Sequence, residues 1–285
     1  MSKKTVLVTG SSGFIGKHLT KKLSSLGYEI ISLDSKNGYD LTIREKLNDI
    51  PVFDLMIHLA GSLFVPESYK NPYKFYHDNI ISTLNALELC RINNARFIYA
   101  SSYVYGNPQS LPIDENHLIQ PSNPYMQSKL IGENLCEGYY RDFKTPIIIL
   151  RPFNIIGTGQ HKNFLIPKII HQIQSGKVSL FDPRPKRDFV YITDVVDAFI
   201  AAANYRKSDF EVFNIGSGIS YSVEEVIRIL KKISKKKFMV EYTNEYRQNE
   251  ILDTIANINK AKRLLNWTPK IDIKTALKQI FESQI

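Results

Sequence analysis

Near its N-terminus the chain runs Thr5-Val6-Leu7-Val8-Thr9-Gly10-Ser11-Ser12-Gly13-Phe14-Ile15-Gly16. Five strand-forming residues run into glycines spaced G-x-x-G-x-x-G, and Phe14, Ile15, Leu19, Leu23 and Leu26 then recur at helical spacing up to Gly27. A strand that turns on glycines into a helix lets its backbone approach a pyrophosphate at the helix N-terminus. Glycines alone would say little, since they also serve turns and close packing. The order strand, glycine turn, helix is what makes Gly10, Gly13 and Gly16 candidates for a dinucleotide site.

A second strand at 28–33 ends at Asp34, 18 residues after Gly16. An acidic side chain there can accept hydrogen bonds from ribose hydroxyls and repel a 2′-phosphate, which favours NAD(H). Asp34 also reads as a turn residue before Ser35-Lys36-Asn37-Gly38, and Lys36 keeps NADP(H) as the alternative. Strands at 53–60, 95–101 and 146–150 then alternate with helices at 72–93 and 123–143. Parallel strands need crossovers and the crossovers supply the helices, so the pattern predicts an α/β fold with a doubly wound parallel sheet. Past Arg151 the elements shorten: helices at 164–175, 193–205 and 222–234, strands at 178–181, 189–191, 211–215 and 238–242, and a helical region after Lys260. The expected organisation is a nucleotide-binding domain over 1–160 with strand and helix contributions from about 188–215, and a smaller interleaved substrate lobe over 161–285.

A chain of 285 residues, 43% hydrophobic and 23% charged, can bury a large core, which excludes disorder and collagen. Cys90 and Cys136 are too few for a disulfide framework and lack zinc-ligand spacing, so no metal is expected and a reducing compartment fits. Thr5 to Thr9 is too short for a signal-peptide core, and no apolar run reaches membrane-spanning length; the expectation is a soluble, cytoplasmic protein. The net charge of +9 comes from dispersed lysines, and the one dense cluster, Lys231 to Lys237, has little aromatic interleaving. That reads as solvated surface rather than a nucleic-acid interface.

Tyr125 and Lys129 stand four residues apart at the start of a predicted helix, so they share one face. A free tyrosine titrates near about pH 10. A neighbouring ammonium and the positive charge of an oxidised nicotinamide favour phenolate, so Tyr125 can exchange a proton with a substrate alcohol or carbonyl while hydride moves. Tyr99-Ala100-Ser101-Ser102-Tyr103-Val104-Tyr105-Gly106 ends a strand at the carboxyl edge of the sheet, where ligands of open α/β folds bind. Ser101 or Ser102 could hydrogen-bond a substrate oxygen there.

Taken together, Val8 to Gly16, His58-Leu59-Ala60-Gly61, Pro66-Glu67-Ser68, Ser101 to Gly106, Tyr125-Met126-Gln127-Ser128-Lys129, Arg151-Pro152-Phe153-Asn154 and Arg187-Asp188-Phe189-Val190 resemble the extended short-chain dehydrogenase/reductase family, in its branch of nucleotide-sugar epimerases, dehydratases and reductases. The resemblance implies a Rossmann-type fold, with Ser101 as catalytic hydroxyl, Tyr125 as acid/base, and Lys129 as the partner that lowers the tyrosine pKa and holds the nicotinamide ribose. It places Phe14, Ile15, Leu59, Ala60 and Pro152 with the glycines in the cofactor cleft, and Asp40 and Leu41 near the adenine. It makes Asn154, Arg187 and Arg247 contacts to a sugar-nucleotide diphosphate, with Ser102 also facing substrate. Asp194 reads instead as a helix cap. The family's four-helix interface implies a homodimer through the helices at 72–93 and 123–143.

Departures narrow the activity. Dehydratases of the family carry an acidic pair after the catalytic hydroxyl, where this chain has Ser102 and Tyr103. A helical glycine is replaced by Ser82, and the usual Gly-Asp-Gly turn before Arg187 is Phe181-Asp182-Pro183. Only Ser35 to Tyr39 separate Asp34 from Asp40, a short connection that resembles reductases of nucleotide 4-keto-6-deoxy sugars. The expected enzyme acts at C4 of a nucleotide-activated hexose as such a reductase, with a UDP-hexose 4-epimerase carrying tightly bound NAD as the alternative.

Overall fold

The computed structural model describes residues 4–243, 245 and 250–284. The first half runs β1 (Thr5–Thr9), α1 (Phe14–Ser25), β2 (Glu29–Leu33), β3 (Leu55–His58), α2 (Val65–Lys70), α3 (Pro72–Ile92), β4 (Arg96–Ala100), α4 (Pro124–Phe143) and β5 (Ile147–Pro152). The second half runs β6 (Asn154–Ile156), α5 (Leu165–Gln174), β7 (Lys177–Leu180), β8 (Lys186–Tyr191), α6 (Ile192–Asn204), β9 (Phe210–Ile215), β10 (Ser220–Ser222), α7 (Val223–Ser234), β11 (Met239–Tyr242), α8 (Asn259–Leu265) and α9 (Ile273–Glu282).

Six strands form one parallel sheet in the order β2-β1-β3-β4-β5-β9. Strand order reverses between β1 and β3, and that crevice at the carboxyl ends is where open α/β sheets bind ligands. Alternation along each strand divides the core into two. Val6, Val8, Ile57, Ile98, Ile148 and Leu150 point to the face covered by Leu19 and Leu23 of α1 and by Val195 and Phe199 of α6. Leu7, Met56, Phe97, Tyr99 and Ile149 point to the other, against Ala86, Leu87 and Cys90 of α3 and Cys136 of α4. The first core continues through α5, α7 and α9.

Between residues 188 and 215 the chain serves both sheets. Helix α6 packs on α1, and β9 closes the edge of the six-stranded sheet beside β5. Strand β8 instead joins a three-stranded sheet, β10-β8-β6, antiparallel to β10 and parallel to β6; β7 and β11 pair separately.

Sequence patterning misses α2, β6 and β10, because six or three residues are too few to show a period. The helical region after Lys260 is two helices, split where Asn266 takes a left-handed conformation (φ 52°) ahead of Pro269. Asp194 is a correction: Tyr191 holds the N-cap position of α6, and the Asp194 carboxylate accepts from the backbone N–H groups of Lys270 and Ile271, each at 3.0 Å. It ties the entry to α9 onto α6. No described helix is long and apolar enough to cross a membrane.

Candidate active site

At the glycine turn two positions tolerate no side chain. Gly10 has φ +65°, and a Cβ there would lie 2.9 Å from the Ala60 nitrogen; at Gly16 it would lie 2.2 Å from the Gly10 carbonyl oxygen. Close approach of the turn to β3 and of α1 to the turn thus depends on both. Gly13 is the N-cap of α1, with no side chain capping the first turn, so the helix N-terminus is available to an anion. Asp34 sits beside it, accepting from Ser12 N–H and Lys36 N–H at 3.0 Å each. Burial works to raise the Asp34 pKa, yet these bonds hold it below the ordinary carboxylate value. The turn role read from sequence is thus seen at Asp34, whose side chain caps the Ser35–Asn37 turn.

The opposite wall is held by a chain of side-chain hydrogen bonds. The Thr9 hydroxyl accepts from Leu59 N–H (3.1 Å) and Ala60 N–H (3.2 Å), so its own proton goes to His58 Nδ1 at 2.8 Å. His58 is then the Nε2–H tautomer, donating to Thr83 Oγ1, which donates to the Asn79 carbonyl. Burial, helped by the charge of Lys129, pulls the imidazole pKa down to about 3 and keeps it neutral. Asp40 accepts from the N–H and hydroxyl of Thr42, and the Leu41 carbonyl accepts from Asn85.

Asn123 and Pro124 start α4: the Asn123 side chain accepts from Met126 N–H, and proline takes a position where its missing N–H costs nothing. This sets Tyr125 in the first turn and Lys129 one turn on. Ser128 bonds the Tyr125 carbonyl and in turn accepts from Asn79 of α3, locking that turn. The Lys129 ammonium lies 4.3 Å from the centre of the Tyr99 ring, and burial pulls its pKa down to about 8. Burial raises the Tyr125 phenol, opposed by a hydrogen bond with Ser102. The lowering expected from Lys129 does not show in the chain by itself: burial sets the direction, and Ser102 is what opposes it.

Ser101, just past β4, donates its hydroxyl proton to Glu133 Oε1 at 2.5 Å. Glu133, one turn beyond Lys129, is paired in turn with Arg151 of β5, whose Nη2 donates to Oε2 at 2.6 Å. At the position of the dehydratase acids, Tyr103 is buried with its hydroxyl on the Gly106 carbonyl, and burial raises its pKa. It offers no acid for dehydration. Pro152 ends β5, and Asn154 opens β6 opposite Phe189 of β8, two residues from Arg187. Arg187 is half-buried and donates to the Ile251 carbonyl and to the Glu250 carboxylate. Arg247 lies outside the described residues.

A glycine turn, an uncapped helix and an acidic strand end fit a dinucleotide, while Ser101 lies just past β4 and Tyr125 and Lys129 lie in the first turns of α4. Residues 6–216 match the NAD dependent epimerase/dehydratase family. The chain belongs to that family. Among relatives, a putative UDP-glucose 4-epimerase of Methanocaldococcus jannaschii is 33% identical over 302 residues, covering 96% of each chain. A GDP-6-deoxy-D-mannose reductase of Pseudomonas aeruginosa is 31% identical over 290 residues, covering 96% of this chain and 95% of its own. Among solved structures, RMD from Pseudomonas aeruginosa complexed with NADPH aligns with a TM-score of 0.91 at 30% identity, over 99% of this chain and 98% of that one. This epimerase/dehydratase-family chain is an enzyme of the NAD(P)-dependent nucleotide-sugar epimerase and reductase kind.

Sequence reasoning gave no role to Glu133 or Arg151 of this family member. A signal was present for the first: Glu133 follows Lys129 by four residues, continuing the Tyr125 face. For Arg151 the signal was weaker, a lone charge closing the buried run Ile147 to Leu150.

Proposed function

We propose that this enzyme reduces the C4 carbonyl of a nucleotide-activated 4-keto-6-deoxyhexose, using NADH in preference to NADPH. Bound nicotinamide would supply the hydride. Gly10, Gly13, Phe14, Ile15 and Gly16 would cradle its pyrophosphate, with Asp34 at the adenosine ribose, Asp40 and Leu41 near the adenine, and Leu59, Ala60 and Pro152 along the cleft. As hydride reaches C4, the Tyr125 hydroxyl gives its proton to the sugar oxygen and becomes phenolate, which Lys129 stabilises and solvent reprotonates. Ser101 meets the same oxygen, with Ser102 beside Tyr125. Asn154, Arg187 and Arg247 are assigned to the diphosphate, for which Arg187 must exchange its bond to Glu250.

The observation that carries this reading over an epimerase is the connection after β2. Its Ser35–Asn37 segment is a single 3₁₀ turn ending at a left-handed Gly38, and residues 35–38 are exposed. So short a border at the adenosine end supports a cofactor that leaves between turnovers, as a reductase requires and an epimerase does not. The UDP-hexose 4-epimerase reading is favoured by the Methanocaldococcus relative.

Cofactor stoichiometry separates them. With GDP-4-keto-6-deoxymannose, the keto form of the sugar in the Pseudomonas reductase's name, absorbance near 340 nm should fall in proportion to sugar supplied, and only with added NADH or NADPH. Interconversion of UDP-glucose and its 4-epimer without added reductant would overturn the reductase. In either case Tyr125→Phe should abolish turnover while leaving cofactor binding nearly intact, and Lys129→Ala should damage both.

The same proposal places the enzyme in the cytoplasm as a symmetric homodimer through α3 and α4. Leu87 is fully buried against the sheet, but Ile80, Leu84, Ile131 and Leu135 keep part of their surface exposed in the single chain, as a helical interface requires.

A further inference from the structure

Arg187 and Asp188 are neighbours on β8, so their side chains leave the strand on opposite faces. The Arg187 side chain stays 21% exposed, whereas Asp188 is fully buried. Both reach the same stretch of chain. From one face, Arg187 Nη1 donates to the Ile251 carbonyl at 2.6 Å and to the Lys186 carbonyl at 2.8 Å, and Nη2 donates to the Glu250 carboxylate. From the other, Asp188 Oδ2 accepts from Ala256 N–H at 3.0 Å and Gly218 N–H at 2.9 Å, and Oδ1 accepts from Ser217 N–H at 2.6 Å and the Ser217 hydroxyl at 2.7 Å. The strand's main chain adds Lys186 N–H to the Leu252 carbonyl at 2.8 Å and Asp188 N–H to Thr254 Oγ1 at 3.4 Å. Residues 250–256 form no helix or strand of their own beyond a single bridge from Ala256 to Ile113, so these bonds decide where they lie along β8.

A carboxylate offers four lone-pair sites, and here four donors converge on them. Withdrawing it from water is costly, and only such full bonding offsets the cost. What the carboxylate adds is a joint between β8, the turn at 216–218 and residues 254–256. The turn leans on that joint: a Cβ at Gly216 would lie 2.5 Å from Ala256 Cβ and 2.8 Å from Asp188 Oδ2. The diphosphate assigned above to Arg187 has to take Nη2 from Glu250. With that bond gone, the planar guanidinium keeps its direction only if the Ile251 carbonyl stays on Nη1. We propose that Asp188 is a positioning residue for Arg187: by fixing residues 254–256 to β8 it holds the Ile251 carbonyl in place while Nη2 passes from Glu250 to the substrate diphosphate. The inference rests on the reading that Arg187 meets that diphosphate, and Asp188 acts only through it.

Asp188→Asn keeps the shape and changes the bonding. Whichever oxygen the amide nitrogen replaces, it faces an N–H of the 216–218 turn, Ser217 at one position and Gly218 at the other, so the joint opens. The test compares wild type, Asp188→Asn, Arg187→Ala and the double variant, each assayed with GDP-4-keto-6-deoxymannose and NADH, or with UDP-glucose if the stoichiometry test selects the epimerase. Melting temperature and NADH binding by fluorescence are followed alongside. Each single variant should raise KM for the nucleotide sugar at least tenfold with kcat within threefold and NADH binding within twofold, the pattern of a lost interaction that is equally strong in ground and transition states. Once Arg187 is alanine, Asp188→Asn should cost less than twofold more in KM. If the two KM rises multiply, if Asp188→Asn keeps wild-type KM while Arg187→Ala does not, or if its kcat and NADH binding fall along with KM, Asp188 acts as structure only and the proposal falls with the site reading intact. If Arg187→Ala itself keeps wild-type KM, the site reading fails and takes the proposal with it. Should Asp188→Asn not fold, Ser217→Ala removes one donor from Oδ1 and enters the same cycle, with an expected KM rise of at least threefold that disappears when Arg187 is alanine.

Discussion

Gly132 lies on α4 between Lys129 and Glu133, and its missing side chain sets how closely that helix approaches the sheet. A Cβ built there would sit 2.2 Å from the Tyr99 hydroxyl oxygen and 2.7 Å from Cζ. Even a close carbon–oxygen contact needs about 3.3 Å, so Gly132→Ala demands about 1 Å of new separation. Tyr99 cannot supply it: the ring is fully buried, stacked on His58 and Phe97, with the Lys129 ammonium over it. The helix must move. Overpacking of this kind costs about 1–3 kcal/mol, and alanine returns about 1 kcal/mol in helix propensity, leaving a net loss of about 0–2 kcal/mol. Activity should suffer far more, because a 1 Å misplacement of reacting groups costs on the order of 10²-fold and Lys129 and Glu133 ride on the same turn. Steady-state kinetics should show kcat down by about two orders of magnitude, with melting lowered by a few degrees. Tyr99→Phe in the same chain removes the nearest atom and should restore part of the rate. Wild-type kcat in Gly132→Ala, or no recovery on adding Tyr99→Phe, would refute the seating of α4 on Tyr99.

Lys129 predicts a pH profile. Its folded pKa of about 8 lies below the ordinary lysine value, so between the two the unfolded chain binds more protons and stability from this group rises with pH, whereas the ammonium that serves Tyr125 is lost. Turnover should therefore fall above about pH 8 without a matching fall in melting temperature, and Glu133→Gln, by removing a charge that raises the lysine pKa, should move that limb to lower pH. Asp34→Ala should narrow the preference for NADH over NADPH by removing a carboxylate that faces a 2′-phosphate; equal ratios in wild type and variant, from parallel kcat/KM measurements, would count against the ribose assignment. Light scattering at micromolar concentration should return twice the chain mass, and a monomer would remove the α3/α4 interface.

What could be read from the residues in order was whatever the chain's own geometry settles. The turn at Gly10, Gly13 and Gly16, the six strands of the parallel sheet and the shared face of Tyr125 and Lys129 all follow from periods of 2 and 3.6 residues and from steric limits on backbone torsions, which act over a few neighbours. Asp34 was legible as a turn residue because that role depends on its place at the end of β2. Contacts set by strand order were not legible. Ser101, Glu133 and Arg151 lie 32 and 18 residues apart in sequence and meet because β4 and β5 are neighbours under α4. Asp194 left its expected capping role because α9 returns to α6 from 76 residues away. Arg187 meets Glu250 across 63 residues. Local pattern decides which elements form and which chemical groups they carry; only the packed sheet decides which buried charges must find one another, since a carboxylate withdrawn from water takes whatever donor the tertiary fold brings within reach.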